Sequence, residues 1–429
     1  WVWQYGVVAT GHGSAREAPC CRVWDGETVG MARQDVDIAI IGAGVVGLAT
    51  ALAIAPTGLR IAVFDAQKEP NEPSEERVLN AWSRRVTALT PASIKFLKAL
   101  EVWQSIHATQ RVGAYTDMCV WDAEGTGCVQ FAAEELRLSE LGSIVESSVT
   151  VDALKRRAAL VPNIQVFWET RLDALSTHSE GAEMVTSAGD EVRASLTIGA
   201  DGGRSKSRDF ADMRTRKWSY QQQAIVATVR VEPDHAATCW QAFLPSGPLA
   251  LLPLADQNLC SIVWSLDEEV SQKWIDADDE AFIQGLNAAL SGRGPRVTAV
   301  SDRQAFPLVQ CHAVNYFSHR FVLVGDAAHS IHPLAGQGIN LGLSDARVLG
   351  AEICGAYERG ADWGASQVLS RYERQRKGDN LSMMAAMQAF KWGFGSTDTA
   401  MTMLRNMGLS SVNALPRVKK WFIQQAVGG

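Results

Sequence analysis

The sequence predicts an α/β fold: a Rossmann-like parallel unit interleaved with an antiparallel-sheet domain and closed by a helical C-terminal tail. Three observations predict it. A strand, glycine turn, helix and second strand follow one another over 35–67, and four segments between 224 and 266 alternate apolar and polar residues with period two. A further apolar run, Phe321 to Val324, then leads into another glycine-rich turn at 325–340.

The first unit reads "DVDIAIIGAGVVGLATALAIAPTGLRIAVFDAQ", with strands at Val36 to Ile41 and Arg60 to Phe64 around a helix from Val45 to Ala55. Gly42, Gly44 and Gly47 form G-x-G-x-x-G between strand and helix, the context this motif requires. Gly42 permits the tight turn, Gly44 lets a pyrophosphate touch backbone N–H groups, and Gly47 lets the helix pack closely on the strand. The helix N-terminus adds partial positive charge. Asp65 ends the second strand 23 residues after Gly42, where an acid accepts hydrogen bonds from an adenosine ribose. A dinucleotide binds here, and this segment alone does not distinguish FAD from NAD.

The four alternating segments are "AIVATVRV" (224–231), "CWQAFL" (239–244), "LALLPL" (249–254) and "LCSIVWSL" (259–266). They predict an antiparallel sheet inserted into the nucleotide fold, after which "SDRQAFPL" returns the chain to it. The domain reading is a leader at 1–30 without a functional part, a mainly cofactor-binding unit with insertions at 31–210, the sheet domain at 211–305, a cofactor-binding return at 306–380 and a helical tail at 381–429.

Composition narrows the function classes. The 429 residues carry a net charge of −7, so there is no excess of Lys and Arg for phosphate contacts, and a nucleic-acid partner is excluded. The eight cysteines are scattered without a C-x-x-C pair and read as reduced thiols in a cytoplasmic setting. No apolar run reaches the roughly 18 residues of a membrane span. His329 and His332 lie three apart, but no neighbouring Asp or Cys completes a metal site, so no metal is expected.

Two further motifs decide the cofactor. "LTIGADGGRSKSR" (196–208) carries D-G-x-x-S-x-x-R, and "FVLVGDAAHSIHPLAGQGIN" (321–340) carries G-D-A-A-H-x-x-x-P. With G-x-G-x-x-G, and in this order, they resemble the single-component FAD-dependent aromatic hydroxylases typified by p-hydroxybenzoate hydroxylase. The longer run "HPLAGQGINLGLSDARVL" (332–349) resembles the ubiquinone-biosynthesis hydroxylases of that family. So do "SRRVTALTPASIKFLKALEVWQSI" (83–106), "GSIVESSV" (142–149), "GPLALLPLADQNLCSIVWS" (247–265) and "LRNMGLSSVNALPRVKKWFIQQAVG" (404–428). The resemblance spans Gln34 to Gly428 and implies a Rossmann-like FAD-binding domain interleaved with an antiparallel-sheet substrate domain.

It also implies roles. Asp326 is expected to hydrogen-bond a ribityl hydroxyl of FAD, and Pro333, Gly336, Gln337, Gly338 and Asn340 to lie along the isoalloxazine ring. There the helix-start amides around Gly338 to Asn340 stabilise charge on the reduced ring, and Gly336 and Gly338 avoid collision with it. Arg85 in "RRVTAL" matches an arginine that approaches the ribityl or phosphate region. Asp201 matches a residue that contacts FAD and pyridine nucleotide, and equally reads as a turn-initiating Asp-Gly.

The implied reaction reduces FAD with NAD(P)H or another donor, adds O2 to form a flavin C4a-hydroperoxide, and hydroxylates an electron-rich phenol ring. No second G-x-G-x-x-G provides a nicotinamide domain, since "SGRGP" (291–295) lacks flanking elements. Leu252, Pro253 and His332 to Leu334 are candidate pocket residues, and no catalytic residue is assigned. The implied partners are a lipophilic phenol, a ubiquinone-biosynthesis complex and peripheral contact with the inner membrane. "SMMAAMQAFKWGF" (382–394) and "VKKWFIQQAV" (418–427) are the candidate interfacial segments. A hydroxylase of a small soluble phenol and a non-catalytic FAD-binding scaffold are the alternatives.

Overall fold

The computed structural model describes residues 33–72, 76, 78–125, 127–330 and 337–395, of which Arg33, Gln337 and 386–395 are described by backbone alone. The leader at 1–30, Pro333, Gly336 and the segment 418–427 lie outside the described residues. The chain opens with β1 (Arg33–Ile41), whose "IAII" run is buried on both faces, as in the centre of a parallel sheet. After the glycine turn, α1 (Val45–Ile54) is apolar on every side and accordingly buried almost completely, leading to β2 (Ile61–Phe64).

Next come β3 (Val86–Leu89), α2 (Pro91–Ala99), α3 (Trp103–Ala108), β4 (Val112–Tyr115), β5 (Asp117–Asp122), β6 (Cys128–Ala132) and β7 (Gly142–Glu146). The chain returns through α4 (Ser147–Ala159), β8 (Ile164–Phe167), β9 (Leu172–Thr177), β10 (Ala182–Thr186), β11 (Glu191–Gly199) and α5 (Lys206–Phe210). The expected period-two segments are β12 (Thr215–Glu232), β13 (Thr238–Leu244), β14 (Gly247–Pro253) and β15 (Leu259–Asp267). Behind them follow α6 (Glu268–Asp276), α7 (Asp279–Leu290), β16 (Arg296–Val300) and β17 (Gln304–Ala313). The last elements are β18 (Phe317–Ser318), β19 (Phe321–Leu323), β20 (His329–Ser330), α8 (Gln337–Glu358) and α9 (Ser366–Gly395).

Three sheets result. The first runs β18-β19-β11-β1-β2-β8, with β19, β11, β1, β2 and β8 parallel and the β9–β10 pair attached to β11. The second runs β20-β17-β12-β15-β14-β13-β5-β6, and β13–β5 is a parallel pair within this otherwise antiparallel sheet. A small sheet, β3-β7-β4, joins the two. Because β5 and β6 enter the second sheet from early in the chain, the domains interlock instead of following one another. The second sheet also keeps the chain through β17, beyond the boundary expected at 305, because β17 pairs with β12 on both sides of a bulge at Ser219 to Gln223.

Helix α8 packs against α1 at contact distance. A Cβ on Gly342 would come within 2.5 Å of Val46 Cγ2, and one on Gly350 within 2.7 Å of the Ala53 Cβ. Behind the second sheet, Phe282 of α7 is fully buried against Trp264 and Trp274 at ring separations of 6.0 and 6.2 Å. This aromatic core faces away from the first sheet. Phe282→Ala is therefore expected to cost about 3–5 kcal/mol in urea unfolding while leaving the affinity of the folded protein for its cofactor unchanged.

Candidate active site

The three glycines after β1 separate by cause. Gly42 has φ +109°, and its Cβ would stand 2.4 Å from the Ala200 carbonyl oxygen; a Cβ on Gly47 would stand 1.9 Å from that of Gly42. Both are required by the fold itself. Gly44 has φ −75°, which any residue adopts, and its Cβ would meet nothing within 4 Å. A glycine that no described protein atom demands fits a place where something from outside approaches the backbone. The N-terminus of α1 carries no side-chain cap, so its first-turn N–H groups face that space and fit a diphosphate. Asp65 accepts hydrogen bonds from the Ala43 and Gln67 amides at 2.7 and 2.8 Å, which aims its carboxylate at the turn and leaves lone pairs for a ribose.

At the end of β19 the chain makes a 3₁₀ turn, Gly325–Ala327, with Gly325 at φ +60° because Val46 crowds the space a Cβ would need. Asp326 is exposed there, yet it lies low in a cleft. Burial among the cleft walls raises its carboxyl above the ordinary range, the charges of His329 and Arg85 oppose this, and Asp345 adds to it. A Cβ on Gly338 would stand 3.7 Å from Asp326 Oδ1 and touch no other described residue. These features fit the ribityl and ring portions of FAD. Gln337 begins α8, and its side chain lies outside the described residues.

Two predicted site residues carry architectural bonds. Asp201 accepts from the Ser205 and Ser207 hydroxyls at 2.5 and 2.8 Å and from the Ser207 amide at 2.9 Å, organising the turn into α5. Asn340 is buried; it donates to the Ala88 carbonyl at 2.7 Å and accepts from the Thr90 amide and Ser93 hydroxyl, tying the start of α8 to the β3–α2 corner.

Several residues escaped sequence reasoning. Arg208, 1% exposed, donates to the Ala327 carbonyl at 2.9 Å and to the Gly203 carbonyl at 3.2 Å, stitching the D-G segment to the Asp326 turn. His329 Nε2 meets Asp345 Oδ2 at 2.5 Å. Asp345 lies in the quoted motif, but nothing local marks its partners. A chain of polar groups continues from it through Arg376 and Asn380 to Tyr316 and His312. Burial, with the charges of His329, Lys377 and Arg216, lowers the His312 pKa to about 4.

Beside the cleft lies a cavity of about 200 Å³. Its floor is the front of the second sheet, including Ala224, Val226, Ala250, Leu252 and Val263, and Phe306 and Arg85 stand at its edge. Arg85, expected beside the ribityl or phosphate region, stacks on Phe306 with Cζ 4.7 Å from the ring centroid. Its charge reaches Asp326, so it stands between cavity and cleft. Of the candidate pocket residues, Leu252 lines this cavity and Pro253 is not among its lining residues. The segment bearing Arg85 is clamped from below by Arg111. Its guanidinium stacks on Trp82 at 4.1 Å and bonds the Ala81 carbonyl and the buried Glu146, which in turn accepts from the Ser83 amide.

The open glycine turn and the Asp326 cleft suit an FAD-dependent monooxygenase, and the comparisons with known proteins place the chain in that class. Residues 35–385 match the FAD binding domain family. The chain is 35% identical to the 3-demethoxyubiquinol 3-hydroxylase of Escherichia coli (strain K12), over 93% of this chain and 100% of that protein. It is 33% identical to the mitochondrial ubiquinone biosynthesis monooxygenase COQ6 of Danio rerio, over 90% of this chain and 88% of that one. Among solved structures, p-nitrophenol 4-monooxygenase PnpA from Pseudomonas putida DLL-E4 shares the fold at TM-score 0.74 and 18% identity, over 92% of this chain and 99% of that chain. The chain thus belongs to the FAD binding domain family, among the ubiquinone-biosynthesis hydroxylases.

Gly44→Ala should leave urea stability within about 0.5 kcal/mol of the parent while weakening FAD binding roughly tenfold or more. Gly47→Ala should lose roughly 1–3 kcal/mol of stability. Because the folded pKa of His312, about 4, lies below its value in the unfolded chain, only the unfolded state gains this proton as pH falls from 6.5. Its contribution to stability is therefore complete above 6.5 and lost progressively towards 4, and the drop in Tm between pH 7 and 5 should be smaller in His312→Gln.

Proposed function

We propose that this protein hydroxylates the aromatic ring of a polyprenylated phenol in ubiquinone biosynthesis. The observation that carries the reading is the cavity, walled mainly by apolar side chains, with Arg85, whose charge reaches Asp326, at its edge. Its volume of about 200 Å³ holds an aromatic ring and not a prenyl chain as well, since a cavity of roughly 150 Å³ already takes up benzene. The chain must therefore leave by the cavity mouth, and the lipophilic tail supports peripheral contact with a membrane. No helix among the described residues is long and apolar enough to cross one. The names of the relatives, both enzymes of ubiquinone chemistry, support the same substrate class.

When bound, FAD would supply the oxygen-activating chemistry, with NAD(P)H or another donor as reductant and O2 as co-substrate. This chain's residues do the rest. Gly44 and the α1 N-terminus would hold the diphosphate, Asp65 the ribose and Asp326 the ribityl chain, and the α8 N-terminal amides would stabilise negative charge on the reduced flavin. The aliphatic floor would exclude water around the phenol ring. Arg85 makes no close ion pair with a carboxylate among the described residues, and its cation would favour a phenolate oxygen at the cavity edge.

The test is the quinone profile, by mass spectrometry, of cells lacking this gene and grown in oxygen. The expected result is accumulation of a prenylated phenol missing one ring oxygen, restored by the parent gene; a normal profile would turn the reading towards a small soluble phenol. In the purified enzyme, Ala250→Phe fills the cavity floor. It should lower kcat/KM for a short-chain prenylphenol roughly tenfold or more with FAD content unchanged, and unchanged turnover would remove the cavity from the mechanism.

A further inference from the structure

Beneath the Asp326 turn lies a buried ion cluster that the reaction as described does not use. Asp345 on α8 is 0% exposed. Its Oδ2 accepts from the Gly325 amide at 3.0 Å and from His329 Nε2 at 2.5 Å, and its Oδ1 from Arg376 Nε of α9 at 2.7 Å. Burial would raise its carboxyl, but His329 and Arg376 overcome this and hold it below the ordinary range. Gly325 precedes Asp326 by one residue and His329 follows it by three, so a single carboxylate oxygen grips the chain on both sides of the cofactor-facing acid. Arg208 grips the Ala327 carbonyl from the other side.

Stability alone does not explain such a cluster. A buried ion pair replaced by well-packed apolar residues is often neutral or stabilising, whereas its geometry is far more specific than apolar contact. Arg376 is itself fixed by Asp379 at 2.8 Å and Asn380 at 3.0 Å, so α9 acts as a rigid backstop for Asp345. We propose that Asp345 is a positioning residue for FAD: through the Gly325 amide and His329 it sets the orientation of Asp326, which then meets the cofactor with only its own side-chain torsions left to fix. This rests on the reading that Asp326 faces FAD.

The test titrates FAD into apoprotein, following flavin fluorescence, for Asp345→Asn, Asp326→Asn and the double variant. Asp345→Asn and Asp326→Asn are each expected to weaken FAD binding roughly 10- to 100-fold, the range for losing a charge-assisted buried hydrogen bond. The double variant is expected to bind no more weakly than Asp326→Asn, within about twofold, because Asp345 acts through Asp326. At saturating FAD, Asp345→Asn should also alter the visible circular dichroism of the bound flavin with the far-UV spectrum unchanged. Unchanged binding by Asp345→Asn, or losses that multiply in the double variant, would overturn the proposal. Unchanged binding by Asp326→Asn alone would instead overturn the assignment of Asp326 to FAD, and the proposal with it. Should Asp345→Asn not fold, His329→Gln replaces it in the same cycle, with an expected loss of roughly tenfold and the same criterion.

Discussion

A carboxylate with no access to water has to be met by donors from every side, and Asp345 imposes that requirement on the centre of this fold. Its three donors come from the turn after β19, from β20 and from α9, while the carboxylate itself stands on α8. Those elements cannot separate without stranding a buried charge. The end of the parallel sheet, the start of α8 and the middle of α9 are thereby brought to one point, and the cofactor cleft is the space that remains between this point and the glycine turn of α1.

Close helix contact completes the frame. Gly342 and Gly350 let α8 lie directly on Val46 and Ala53 of α1, so two helices approach the cleft side by side. The nucleotide end is shaped by Gly42 and Gly47, whose missing side chains are demanded by neighbouring backbone, and left open by Gly44, whose missing side chain is not. At the ring end the second sheet turns its aliphatic face towards the cleft, and the Arg111–Glu146 pair sets the height of the segment carrying Arg85. Cofactor and substrate regions are interleaved in the chain because β5 and β6 join the sheet that β12 to β17 complete.

Much of the nucleotide half was legible in the sequence because its determinants are local. Strand, turn and helix from Val36 to Ala55 follow from apolar runs punctuated by glycine, and Asp65 lies within the same unit. The four alternating strands were legible for the same reason, since side-chain period reports which face is buried. The length of the second sheet was not. β17 continues in it past 305 because pairing with β12 resumes after a bulge, which has no signature in either segment alone. Asn340 was readable as part of a glycine-rich helix start, but its side chain serves the β3–α2 corner, 252 residues away along the chain.

By itself the sequence determined the class of fold, the cofactor motifs and the family resemblance, all carried by residues close together along the chain or in a fixed order. Only the tertiary structure decided that His329 pairs with Asp345, that Arg208 reaches Ala327, that Arg85 stands at the edge of an aliphatic cavity, and that α9 closes beneath the Asp326 turn. The physical reason is range. Periodicity and turn chemistry act over a few residues and leave a trace in composition, whereas a buried charge finds its partners through the packing of whole elements, and one Asp, His or Arg among many carries no mark of which partner it will meet.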